Sequence, residues 1–146
     1  MLGARFMQGS RLRGYSSLRK YGNIVYNNLF SLAVLHGIYD LGSGLNMYRL
    51  DAFQDFYYKT FPDDLSFNYV MLLASYARKH EIKYVPISWR EEDQVSNVKL
   101  FSQSIKVLAL LAGYFCRRNS FLKRELRSTQ HSSYSGMIQY CQEAIR

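Results

Sequence analysis

Between Leu18 and Leu35 the apolar residues Leu18, Ile24, Val25, Leu29, Leu32 and Ala33 recur at helical spacing, and Gly37 supplies a stop, so this stretch predicts a helix. Ahead of it, Leu2 to Met7 reads as a short strand entering a loop, Gln8 to Ser17, whose small and basic residues give backbone freedom next to positive charge. That loop is a natural contact for an anion. Two glycines around a serine make Asp40-Leu41-Gly42-Ser43-Gly44 a turn, and the alternation from Leu45 to Leu50 predicts a strand. Asp51 then suits the N-cap of a short helix through Tyr58. Pro62-Asp63-Asp64 opens the next helix, with acids at its positive end, a buried stripe of Phe67, Val70, Met71, Ala74 and Ala77, and Arg78, Lys79 and His80 at its negative end.

Alternation and β-branched residues predict a strand over Ile82 to Ser88, with Pro86 marking an edge or an end. Trp89 to Asn97 is a charged loop. Val98 to Phe115 is the most apolar helix, with Leu100, Val107, Leu108, Leu110 and Leu111 on one side and Lys99, Lys106, Arg117 and Arg118 toward its ends. An apolar body with cationic ends suits a helix lying in a membrane interface. Residues 119–146 form a polar, basic tail, loosely helical or frayed. The result is an α/β chain with few strands and flanking helices, short of a complete nucleotide-binding sheet.

A length of 146 residues fits one domain, and 48% hydrophobic residues with 13 Tyr and 9 Phe supply a core and exclude wholesale disorder. The net charge of +8 is unevenly spread: residues 1–37 hold Arg5, Arg11, Arg13, Arg19 and Lys20 and no acid, residues 38–97 are net acidic, and residues 98–146 are basic again. Basic flanks suit an anionic membrane, a diphosphate or nucleic acid, and composition does not choose among them. No basic-aromatic module appears, the aromatic residues fall at core spacing and the middle is acidic, so nucleic acid is not expected as a partner. Cys116 and Cys141, and likewise His36, His80 and His131, lack metal-ligand spacing, which predicts free thiols in a reducing cytosol and no metal. The first residues do not read as a signal peptide, and no eighteen-residue apolar run predicts a spanning helix.

Five pieces stand in a telling order: Leu2-Gly3-Ala4-Arg5; Arg19-Lys20 with Asn23 and Asn27; Asp40-Leu41-Gly42-Ser43-Gly44 with Tyr48-Arg49; Val85-Pro86-Ile87; and the loop from Arg90 to Ser96-Asn97. Over residues 1–118 this order resembles the carboxyl-terminal, acceptor-side half of family-2 glycosyltransferases of GT-A type, like the dolichol-phosphate mannosyltransferases and polyprenyl-phosphate glycosyltransferases. The resemblance implies a partial, Rossmann-like GT-A fold and an inverting transfer of sugar from a nucleotide-sugar to a lipid-linked or saccharide acceptor, in cell-envelope polysaccharide or glycolipid synthesis. It also implies a peripheral place on the cytoplasmic face of the membrane.

By the same resemblance Arg5, Arg19 and Asn23 would contact an acceptor phosphate, Arg90 would close over the donor diphosphate, and Ser96 and Asn97 would support its loop. Asp40, Ser43 and Gly44 would form a turn near the active site, although Asp40 equally suits a simple turn cap. Val70, Gln94 and Asn97 depart from the acidic residue, glycine and lysine common in the family. If the acceptor is a sugar hydroxyl, a carboxylate base is needed, and Asp63 or Asp64 is placed for it by resemblance to the Glu-Asp pairs of other branches; both acids also suit a helix start. The divalent metal of such enzymes, Mg or Mn, belongs to an Asp-x-Asp motif that this sequence lacks. A donor-binding half, upstream or on a separate chain, is therefore expected. The alternative is a catalytically inactive basic domain that binds a membrane surface or a partner.

Overall fold

The computed structural model describes residues 1–90 and 100–129. In chain order they form β1 (Leu2–Ala4), β2 (Leu12–Arg13), α1 (Ser17–Val34), α2 (Phe67–Ala77), β3 (Tyr84–Pro86), β4 (Trp89–Arg90) and α3 (Leu100–Phe121). β1 pairs in parallel with β3, Leu2 opposite Tyr84 and Ala4 opposite Pro86. β2 pairs in parallel with β4, placing Arg13 opposite Arg90.

The strand expected at Leu45 to Leu50 is reduced to an antiparallel bridge between Leu2 and Asn46, flanked by Gly3 N donating to Leu45 O and Met47 N to Met1 O, both at 2.8 Å. Gly3 makes this approach possible. A Cβ there would lie 3.0 Å from the Ile87 side chain and 3.1 Å from the Leu45 carbonyl oxygen.

The core centres on α2, where Val70 to Ser75 are buried without a break. The predicted single stripe is therefore too narrow: α2 is covered nearly all round, and Phe67 and Ala77 at its ends are only half-buried. It also begins later than Pro62-Asp63-Asp64, because Asp64 Oδ1 accepts the Ser66 N–H at 2.7 Å and the helix is counted from Phe67.

α1 occupies almost the predicted residues, but its core face is Asn27, Phe30 and Val34. Of the stripe named from the sequence, Leu18, Val25, Leu29 and Leu32 lie on the exposed side, whereas Ile24 and Ala33 are half-buried and Ala33 packs against the core. Asp51 does not cap a helix; it pairs with Arg49, and the segment makes two tight single-turn helices, Leu50–Phe53 and Tyr57–Thr60. They are split by Phe56, whose φ of 50° breaks a continuous helix.

α3 runs past the expected Phe115 to Phe121 with a break at Arg117 (φ −146°, ψ 54°). The break folds Phe121 back, so that its ring lies 6.2 Å from that of Tyr114 and a Cβ on Gly113 would meet it at 3.1 Å. Val107, Tyr114 and Phe121 are buried, whereas Ile105, Leu108 and Phe115 are exposed. The expected boundary after residue 118 thus falls inside a helix. Leu122 and Leu126 pack on the core, and Leu126 N donates to Thr60 O at 2.8 Å, so residues 119–129 belong to the folded body.

Candidate functional site

β1 ends by delivering Arg5 into the interior, and the chain leaving α1 delivers Asp40 to meet it. Asp40 Oδ2 accepts from Arg5 Nε at 2.7 Å and from the Arg5 backbone N–H at 2.9 Å; Oδ1 accepts from Arg5 Nη2 at 2.9 Å and from the Gly42 N–H at 3.0 Å. Four donors saturate one carboxylate. Burial works against the Arg5 charge, but the Asp40 carboxylate outweighs it and raises the guanidinium above its ordinary value. The Gly42 contact is an Asx-turn, so Asp40 does cap its own turn, and Gly44 closes that turn at φ 71°. Ser43 lies half-buried within it.

Asn27 fixes this turn from below. Its Nδ2 donates to Tyr39 O at 2.8 Å and its Oδ1 accepts the Leu41 N–H at 3.1 Å, clamping the backbone on both sides of Asp40. Ser31 adds a second tie by accepting the Ile38 N–H at 2.8 Å. Above the pair, the Arg5 guanidinium lies 5.3 Å from the Phe6 ring and 5.8 Å from that of Tyr15, within cation–π range. Tyr15 OH in turn accepts from Asn23 Nδ2 at 3.0 Å, and the same nitrogen reaches Arg19 O at 2.7 Å. A continuous contact network therefore links Arg5, Asp40, Asn23 and the backbone of Arg19. Two residues before Tyr15 stands exposed Arg13, in register with exposed Arg90. Trp89, beside it, is 39% exposed.

Asp63 and Asp64 are held elsewhere. Asp63 Oδ1 accepts the Ser128 N–H at 3.1 Å and Ser128 Oγ–H at 2.9 Å, and these bonds hold its pKa down to about 2. For Asp64 burial favours the neutral acid, yet Lys106 and Ser66 outweigh it and keep the pKa below the ordinary value. A general base works with a pKa near the operating pH, whereas these carboxylates are tied into helix-start and tail contacts that favour their ionised form. Ser96 and Asn97 lie outside the described residues. Among the described residues no group of three or more His, Cys, Asp or Glu comes together.

The Ser128 tether has a titration signature. Because the folded pKa of Asp63 is depressed from 3.8 to about 2, its contribution is complete above the ordinary value and fades as the pH falls through that interval. The Ser128 amide resonance is expected to move with a midpoint well below 3.8. A midpoint at the ordinary value would mean that the tether is absent in solution.

Sequence reasoning singled out the two charges of the Arg5–Asp40 pair but missed that they bind each other, and it missed Tyr15, Ser31 and Tyr69. Tyr69 OH would lie 3.8 Å from a Cβ on Gly42, which places it over the same turn. One signal was present for Asn27: it falls in helical phase with Phe30 and Val34, and a polar residue in phase with a core stripe asks for buried partners. Compared with protein-family models, with curated proteins and with solved structures, the chain gives no match.

Proposed function

We propose that this chain is the acceptor-side part of an inverting family-2 glycosyltransferase that works at the cytoplasmic face of a membrane with a donor half carrying the Asp-x-Asp motif. The observation that carries the reading is the bond between Arg5 and Asp40, 35 positions apart, which joins the strand-end segment to the Asp-x-x-Ser-Gly-like turn. Parallel pairing of β1 with β3 sets Val85-Pro86-Ile87 beside the same strand. Three of the five resembling pieces are thus neighbours, with Arg5 and Ile87 at the carboxyl ends of the paired strands. Exposed Arg13 and Arg90 would offer charge to a leaving diphosphate through bidentate hydrogen bonds. Arg5, with Nε and Nη2 committed to Asp40, would position the turn more than grip a phosphate. Mg or Mn would be held by the donor half.

The test supplies a separately expressed donor half, Mg or Mn, a radiolabelled nucleotide-sugar, and either polyprenyl phosphate or an oligosaccharide. Labelled acceptor is expected only when both halves are present, and Arg13→Ala with Arg90→Ala is expected to lower transfer on the order of a hundredfold. Absence of transfer by the folded chain with every donor half overturns the reading. For a sugar-hydroxyl acceptor, the anchoring of Asp63 and Asp64 favours one second reading, a catalytically inactive basic domain bound to a membrane surface or partner, because it leaves the described network without the base such an acceptor needs.

A further inference from the structure

α2 is closed by an unusual residue. His80 N donates to Ser75 O and Lys79 N to Tyr76 O, both at 3.0 Å, the bond pattern of a helix whose next residue turns into the left-handed region. Glycine is the usual occupant of that position; here it is Lys79, at φ 58°. A side chain kept where its loss would ease the backbone needs another reason, and such positions gather where ligands bind. α3 has its own irregularity at Arg117, where the helix breaks and Phe121 folds back onto Gly113. The two irregularities meet. Lys79 and Arg117 line one open cavity of about 610 Å³ together with Ala77, Arg118, Asn119 and Ser120.

The lining selects the chemistry of an occupant: three residues are cationic, Asn119 and Ser120 add neutral hydrogen-bonding groups, and none is acidic. Nearby cations are neutralised within the protein, Arg78 by Asp55 and Lys106 by Asp64. Among the described residues no carboxylate pairs with Lys79, Arg117 or Arg118. The dipole of α2 favours a cation just past its last turn, which accounts for Lys79 but not for two further like charges around the same space. Those charges repel one another unless an anion lies between them. The volume falls within the range of small-molecule sites, about 300–1,000 Å³, whereas a bilayer surface needs a cationic face and no concavity. We infer that this cavity binds a soluble small molecule through a phosphate or diphosphate group, with Arg117 and Arg118 donating N–H bonds to its oxygens and Lys79 adding a point charge. No residue of the Arg5–Asp40 network lines it, so the inference stands apart from sugar transfer.

Isothermal titration calorimetry of the full chain with inorganic pyrophosphate tests it, with sodium acetate as the control anion. The wild-type chain is expected to show saturable binding of pyrophosphate and none of acetate. Lys79→Gly is expected to melt at or above the wild-type temperature, because glycine suits φ 58°, yet to bind pyrophosphate about tenfold more weakly. Arg117→Gln with Arg118→Gln is expected to weaken binding on the order of a hundredfold. Lys123→Gln with Arg124→Gln removes the same charge from exposed positions outside the lining and is expected to stay within about twofold of wild type. The inference is overturned if the wild-type chain shows no saturable binding in solution, even should it sediment with phosphatidic acid vesicles. It is equally overturned if Lys79→Gly binds as wild type does, or if the Lys123 and Arg124 variant loses as much as the Arg117 and Arg118 variant.

Discussion

Replacing Asp40 with alanine is expected to lower the free energy of unfolding by about 3–5 kcal/mol, the range for breaking a buried ion pair from one side. The loss comes from what is left behind: a buried Arg5 guanidinium, the Arg5 N–H and the Gly42 N–H, all deprived of their acceptor. Arg5→Met is expected to cost less, because the carboxylate keeps the two backbone donors at 2.9 and 3.0 Å. The double variant is expected to be less destabilised than the sum of the singles, since the two residues act as a unit. Urea unfolding of the four proteins, followed by far-ultraviolet circular dichroism, gives the order directly. An Asp40→Ala protein within about 1 kcal/mol of wild type would show that the pair behaves like an exposed one and does not organise the turn.

Phe30→Ala is expected to cost about 3–5 kcal/mol, the usual penalty for emptying a fully buried aromatic site. Its side chain is 0% exposed and its ring stands 6.1 Å from that of Tyr69, which borders the Gly42 turn. The natural control is Leu32→Ala, two residues further along α1 but on the outward face, where a change of within about 0.5 kcal/mol is expected. The pair of measurements reads the orientation of the helix in solution. Equal costs at the two positions would mean that the outward stripe is covered in the folded chain.

What the sequence makes legible here is mostly local. α1 and the strands at Leu2 and Tyr84 stand near their expected places because period and turn residues suffice to find them. The face that α1 buries does not follow from period alone: the more continuously apolar stripe is the outward one, and the inner face was settled by hydrogen bonds from Asn27 and Ser31 to the chain beyond the helix. Asp63 illustrates the other limit. Beside a helix start an acid reads as a dipole partner, yet its bonds go to Ser128, 65 positions away, which no local pattern reveals. In the candidate site both charges of the Arg5–Asp40 pair were visible in their motifs, whereas their mutual bond depends on two segments meeting in space.

The parallel register has a consequence for how the chain is made. β1 has its partner at Tyr84, 82 positions later, and its antiparallel bridge is to Asn46, 44 positions later. At synthesis rates of about 5–20 residues per second, β1 waits about 4–16 s before β3 exists. During that time Leu2-Gly3-Ala4 is an apolar edge without its neighbour, and late closure of distant strands is the slow step in folds of this kind. The half-formed chain thus depends on α1 folding promptly, because that helix is complete long before the sheet it will support.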